Sequence, residues 1–212
     1  MQTFDRVAIK AEAKNVFYRN RSLCISMMLI VVAAELILST VSAGFLGALF
    51  SGIISVIAAG FFTQCWRDTP ISVSQALSDT FDEGFLRKLG GMLLMQLKVF
   101  LWSLLFFIPG IIKDLSYALT PYILSDCPNV PAAEATVLSE KMMRGHRMDY
   151  LVMELSFLGW ALLSALTAGI LHVLYVGPYI ELTQAGIYEE LKQIALDTGA
   201  VTQAELDGQV IY

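Results

Sequence analysis

Residues 45–66 read FLGALFSGIISVIAAGFFTQCW, 22 consecutive positions without a charged side chain. As a helix rising 1.5 Å per residue, this stretch is ~33 Å long, enough to cross the hydrocarbon core of a bilayer. Lipid offers no partner to backbone N–H and C=O groups, so a segment of this kind spans as a helix. Working outward, four further runs share its character. Residues 23–40 are apolar except for Glu35, residues 91–108 except for Lys98, and residues 151–166 except for Glu154. Residues 170–189 form a long apolar run that contains His172, Pro178 and Glu181. A sixth run, 110–124, is shorter and carries Lys113 and Asp114 near its start. It either spans with local thinning of the bilayer or re-enters on the side it came from.

The whole chain agrees with these segments. Of its 212 residues, 56% are hydrophobic and 16% charged, against about 25% charged in ordinary soluble domains. The mean hydropathy is +0.64. A soluble fold of this size cannot hide so much apolar surface. The predicted fold class is therefore all-α: a polytopic six-helix membrane bundle occupying 1–212 as one domain. The net charge is −5 and no stretch is strongly basic, which gives nucleic acid no footprint. Cys24, Cys65 and Cys127 form no CxxC pair and read as small buried hydrophobes rather than a disulfide framework or zinc site. The polar, amphipathic first 22 residues do not read as a cleaved signal peptide.

Charge sets the orientation. Of 14 Lys and Arg residues, all but Lys98 and Lys113 lie before residue 22, at 67–88, at 141–147 or at 192. With six crossings these regions share one side, which the excess of basic residues makes cytosolic. Residues 1–20, 67–89, 126–148 and 195–212 are thus expected in the cytosol, with both termini there. The long connections are themselves amphipathic. In Ser72–Asp82, Val73, Ala76, Leu77, Thr80 and Phe81 follow the spacing of one helix face, and Ser72 with Gln75 has capping-box spacing. In 131–143, Pro131 suits a first helical turn, while Ala135, Leu138 and Met142 share a face. The stretch from Phe4 to Ala11 is similar. Such helices lie in the membrane interface or pack as solvent-side helices on the bundle.

The second and third thirds of the chain resemble each other. Trp102 and Trp160 are 58 residues apart; Pro121-Tyr122-Ile123 and Pro178-Tyr179-Ile180 are 57 apart. The first third has the same order of elements with weaker residue matches. The layout reads as three copies of an amphipathic helix followed by a hydrophobic hairpin.

Between Ile108 and Glu190 the chain carries the strings IPGIIKDLSYALTPYILSDCP, SEKMMRGH, LSFLGWALLSALTAGI and PYIELTQAGIYEEL. This combination resembles the bacterial integral-membrane family named domain of unknown function 975. The resemblance covers about the last 100 residues well and the first 90 mainly in hydrophobic layout. It implies a multi-pass protein of the bacterial plasma membrane and no particular reaction. The helix-hairpin layout also looks like the membrane domain attached to some glycerophosphodiester phosphodiesterases, but this chain has no room for their catalytic barrel.

Enzyme signatures such as HExxH, GxSxG and GxxxxGK[ST] do not occur. His146 and His172 have no ligand-like spacing, so no catalytic residue, metal or cofactor is expected. In the second helix Gly44, Ala48, Gly52 and Gly60 fall in a row spaced by four, with Val56 interrupting it. Such a row lets helix backbones approach closely, within the bundle, in a homo-oligomer or along a narrow pathway. Charges inside apolar runs are costly, ~2.5–3.5 kcal/mol each on insertion scales, which singles out Glu35, Lys98, Glu154, Glu181 and His172. They either form structural pairs, Lys98 with Glu154 or Glu181 above all, or line a solute or proton route. Lys141, Arg144 and Arg147 lie near a membrane end and suit an anionic lipid. The resulting expectation is a non-enzymatic scaffold or regulator in the membrane, with a small-solute or ion transporter as the alternative.

Overall fold

A computed structural model of the chain describes residues 4–41, 45–69, 71–82, 84–105 and 107–209. Among these residues the regular structure is helical, with no strand. The order of elements has three consecutive units. The first comprises α1 (Arg6–Arg19), α2 (Arg21–Val41) and α3 (Phe45–Trp66). The second comprises α4 (Val73–Asp82), α5 (Phe85–Leu105), α6 (Phe107–Tyr117) and α7 (Thr120–Asp126). The third comprises α8 (Ala132–Met142), α9 (Arg147–Leu155), α10 (Leu158–Leu166), a π-helical turn at His172–Val176 and α11 (Gly177–Asp197). A short α12 (Gln203–Leu206) follows. Each unit is a connecting helix, an outgoing helix and a returning helix.

Local sequence explains the breaks. Asp5 caps α1 by accepting from the backbone N–H groups of Val7 and Ala8. Ser72 caps α4, its hydroxyl accepting from Gln75 N–H at 3.2 Å. Both later returning helices are interrupted just before a proline. Pro121 sits in the first turn of α7 and Pro178 in the first turn of α11. Proline has no N–H to give the preceding turn. The chain answers with a two-residue turn after Tyr117 in one case and with the wider π turn in the other.

These breaks revise several expected boundaries. The run expected at 91–108 is helical from Phe85 and ends at Leu105. Pro109 stands in the first turn of α6, where its missing N–H costs nothing. The run at 110–124 is the two helices α6 and α7. The last helix continues past 189 to Asp197.

Two stretches, Arg21–Thr40 and Arg147–Leu166, are long and apolar enough to cross a membrane; Phe50–Trp66 is a shorter apolar helix. The core gathers Phe17, Phe61, Phe62, Ile123, Leu182 and Tyr188, all almost fully buried. Toward the turns the helices are bare. Leu36 and Ile37, then Phe100, Leu104 and Ile108, then Leu162, Leu166 and Ile170 are all exposed. The molecule is thus packed at one end and presents apolar side chains on the hairpin halves that lead to the turns.

α1 runs antiparallel to α11. The Asp5 N–H donates to Glu190 at 3.3 Å, while Phe17 meets Tyr175 edge-on at 5.4 Å. α8 packs against the α5–α6 hairpin and fills the break between α6 and α7. The Ser139 hydroxyl donates to Ser116 C=O at 2.9 Å and accepts from Leu119 N–H at 3.2 Å. All three residues are buried.

Candidate functional site

Polar side chains collect in three places, each assembled from different units. The first joins the ends of α3 and α7 to the middle of α11. α3 ends through Asp68, which takes the left-handed conformation (φ 54°), and Thr69 N–H returns to Gln64 C=O at 3.0 Å. Arg67 is thereby held beside α7 and α11. Its two terminal nitrogens donate to Asp126 at 2.5 and 3.0 Å, and its Nε donates to Glu189 at 2.7 Å. Asp126 also accepts from Lys192 at 2.6 Å and from the Tyr188 hydroxyl at 2.8 Å. Its side chain is only 10% exposed, and a carboxylate on the last residue of a helix is opposed by the helix dipole. Burial alone would raise its pKa. Hydrogen bonds from Arg67 and Lys192, with their charges, outweigh burial and hold the carboxyl well below the usual carboxylate range. Burial likewise opposes the charge on Arg67, but Asp126 and Glu189 raise its pKa overall. Beside this knot Arg87, at the start of α5, donates to the carbonyls of Leu124 (2.7 Å), Val130 (2.7 Å) and Cys127 (3.3 Å), closing the end of α7.

The second group lies where α5 and α6 meet α8. Lys98 Nζ donates to Thr136 Oγ1 at 2.6 Å and sits 5.7 Å from the Tyr117 ring centre. Lys113 approaches the same ring at 5.5 Å and the Trp102 ring at 5.6 Å. It also donates to Glu140 at 2.8 Å, and Arg147 lies 3.6 Å from that carboxylate.

The third group is acidic. Gln184 Nε2 donates to Glu154 at 2.9 Å, while the Gln184 carbonyl accepts from the Tyr122 hydroxyl at 3.2 Å. Partly buried Glu181 lies near enough for its charge to interact with those of Glu35 and Glu154. Glu35 itself is exposed. Among the described residues no group of three His, Cys, Asp or Glu has the geometry to hold a metal ion.

The residues singled out from sequence fall as follows. Lys98 pairs with Thr136 and Glu154 with Gln184, so the expected Lys98–Glu154 pair is replaced by a neutral partner for each charge. The cause is α8, which brings Thr136 to Lys98. His172 opens the π turn; Gly177 packs against its carbonyl and imidazole and against Met28. A Cβ on Gly52 would stand 2.7 Å from Met92 Cβ, and one on Gly60 would collide with Ser125. Both glycines therefore serve contacts within the chain, to α5 and α7. Gly44 and the side chain of Ala48 lie outside the described residues. Of the three basic residues near 141–147, Lys141 donates to Glu205 at 2.6 Å, Arg147 faces Glu140 and Arg144 is exposed. His146 is buried against Phe4, with ring centres 6.3 Å apart, rather than solvated as its place in a polar turn suggests.

Arg67, Asp126, Glu189 and Arg87 escaped the sequence reading. They stand at or just outside the ends of apolar runs, where charge reads only as a topology signal. The coincidence of an Arg, an Asp and a Glu-Glu pair at the ends of three apolar runs was the available clue.

Residues 104–195 match the family described as Protein of unknown function (DUF975). The strings between Ile108 and Glu190 lie wholly within the matched residues, whereas the first 103 residues lie outside them. No curated protein and no solved structure matches the chain.

Proposed function

We propose that this chain is a multi-pass protein of the bacterial plasma membrane, with six membrane-embedded helices and both termini in the cytosol. In this reading it works without catalysis, as a scaffold or regulator that acts through packing and partners. The observation that carries the placement is the ring of exposed apolar side chains on the hairpin halves, from Leu36 through Phe100 and Leu104 to Leu162, Leu166 and Ile170. Soluble monomers rarely expose contiguous apolar surface on this scale. The saturated Arg67–Asp126–Glu189–Lys192 knot at the opposite end supports a structural use of charge, because its donors and acceptors already satisfy one another. Alkaline carbonate extraction tests the placement: release into the supernatant would refute it. Single-cysteine labelling in a background lacking Cys24, Cys65 and Cys127 tests the topology. Labelling of a residue in 67–89 from outside intact cells would overturn it.

A transporter of a small cation or proton is the second reading, favoured by the neighbourhood of Glu35, Glu154 and Glu181 from α2, α9 and α11. Proteoliposome flux separates the two. Flux that Glu181→Gln abolishes, while the protein remains folded, would replace the scaffold with the transporter.

A further inference from the structure

The hairpin formed by α5 and α6 combines two features that the scaffold reading leaves unused. Its base holds more positive than negative charge. Lys113 and Arg147 share Glu140, the one carboxylate within salt-bridge distance of either among the described residues, and Lys98 approaches the same Tyr117 ring as Lys113. Lys98 spends one N–H on the Thr136 hydroxyl, which is neutral and itself donates to Ala133 C=O at 2.8 Å. The Nε of Arg147 is buried and makes no hydrogen bond. Cations withdrawn from water in this way call for an anion. The second feature lies one turn beyond Lys98. Leu101 (50% exposed) and Trp102 (43%) continue along α5, with Ile108 (70%) and Ile112 (43%) on the returning helix. The cationic base is therefore continuous with a bare apolar wall, and the Trp102 ring under Lys113 marks where they join.

A ligand complementary to both features is an anionic amphiphile. We propose that Lys98, Lys113 and Arg147 hold the phosphate of an anionic phospholipid whose acyl chains lie along the α5–α6 hairpin. The remaining N–H donors of the two ammonium groups and the Arg147 guanidinium face phosphate oxygens as charge-assisted hydrogen bonds. Tyr117, approached by both lysines, keeps the two ammonium groups on one anion. Of the basic residues at 141–147 this site uses Arg147 alone; Lys141 is already matched by Glu205.

The inference rests on the membrane placement proposed above, and carbonate extraction tests that placement separately. The test of the lipid site uses the full chain in nanodiscs of equal phosphatidylglycerol and phosphatidylcholine, with retained lipid counted by native mass spectrometry. The wild-type chain is expected to retain one phosphatidylglycerol, about tenfold over phosphatidylcholine. Lys98→Met/Lys113→Met is expected to lower that retention to the phosphatidylcholine level, and Glu140→Gln to keep or increase it. Equal retention of both lipids by the wild-type chain overturns the site without need of a variant. So does undiminished phosphatidylglycerol on a folded double-lysine variant. Displacement of the lipid by millimolar inorganic phosphate would make this a site for a free anion and would also overturn the proposal.

Discussion

Arg67 grips Asp126 with both terminal nitrogens, at 2.5 and 3.0 Å, and turns its Nε to Glu189. One guanidinium thereby ties the ends of α3 and α7 to the middle of α11, three helices from three units. Arg67→Met leaves two partly buried carboxylates facing each other and is expected to cost about 3–5 kcal/mol. Arg67→Lys should recover less than half of this, since an ammonium cannot present the planar fork. Thermal unfolding in mild detergent measures both; a wild-type melting temperature for Arg67→Met would show the knot to be dispensable.

The same carboxylate sets a pH dependence. Asp126 titrates well below its unfolded value of roughly 3.9. A depressed carboxyl contributes stability that is complete above the unfolded value and is lost as pH falls through the folded one. The Asp126 contribution should thus be constant between pH 8 and 5 and decline only below roughly pH 4. Asp126→Asn should lower the melting temperature across the flat range and shrink the acid-induced drop. A stability loss already developing between pH 7 and 5 that Asp126→Asn removes would contradict this.

Gly52 makes a prediction about volume. Its backbone lies so close to α5 that a Cβ would come within 2.7 Å of Met92 Cβ and 3.2 Å of its Cγ. Gly52→Leu should destabilise by about 1–3 kcal/mol through overpacking, and Met92→Ala in the same chain should return part of the loss. If Met92→Ala adds its own cost to Gly52→Leu, the two helices do not meet there.

For the buried charges the prediction is a pair of double-mutant cycles. Lys98→Met and Thr136→Val share a hydrogen bond at 2.6 Å and should couple by roughly 0.5–3 kcal/mol. Lys98→Met and Glu154→Gln share no partner and should add within about 0.5 kcal/mol. Unfolding of delipidated protein provides the readout. Strong coupling in the second cycle would restore the ion pair suggested by counting residues from the helix ends.

That last contrast shows what sequence could and could not reveal. The end of α3 at Trp66 was legible because an uninterrupted apolar run followed by charged and polar residues admits one reading. The interruption at Pro178 was legible as chemistry, since a missing N–H must be accommodated somewhere, but the matching break before Pro121 was not read, and the choice between a turn and a π turn depends on the neighbours. The Lys98 partner was not legible. Counting along a helix gives height, not direction around the axis, and α8 supplies a hydroxyl that no periodicity in α5 announces. The knot was hidden for the same reason: Arg67 meets partners 59 and 122 positions away, and only the packing of three helices brings them together.

The Ser139 hydroxyl has a consequence for how the chain is made. Ser116 C=O and Leu119 N–H lie in the second returning helix, and both are buried against a side chain that leaves the ribosome 20 or more residues later. Until then that hairpin holds an unpaired donor and acceptor, at about 1–3 kcal/mol for each such group once buried. The second hairpin therefore cannot mature as a finished module during translation. It waits for the opening helix of the third unit, whose Ser139 hydroxyl supplies the partner of both groups.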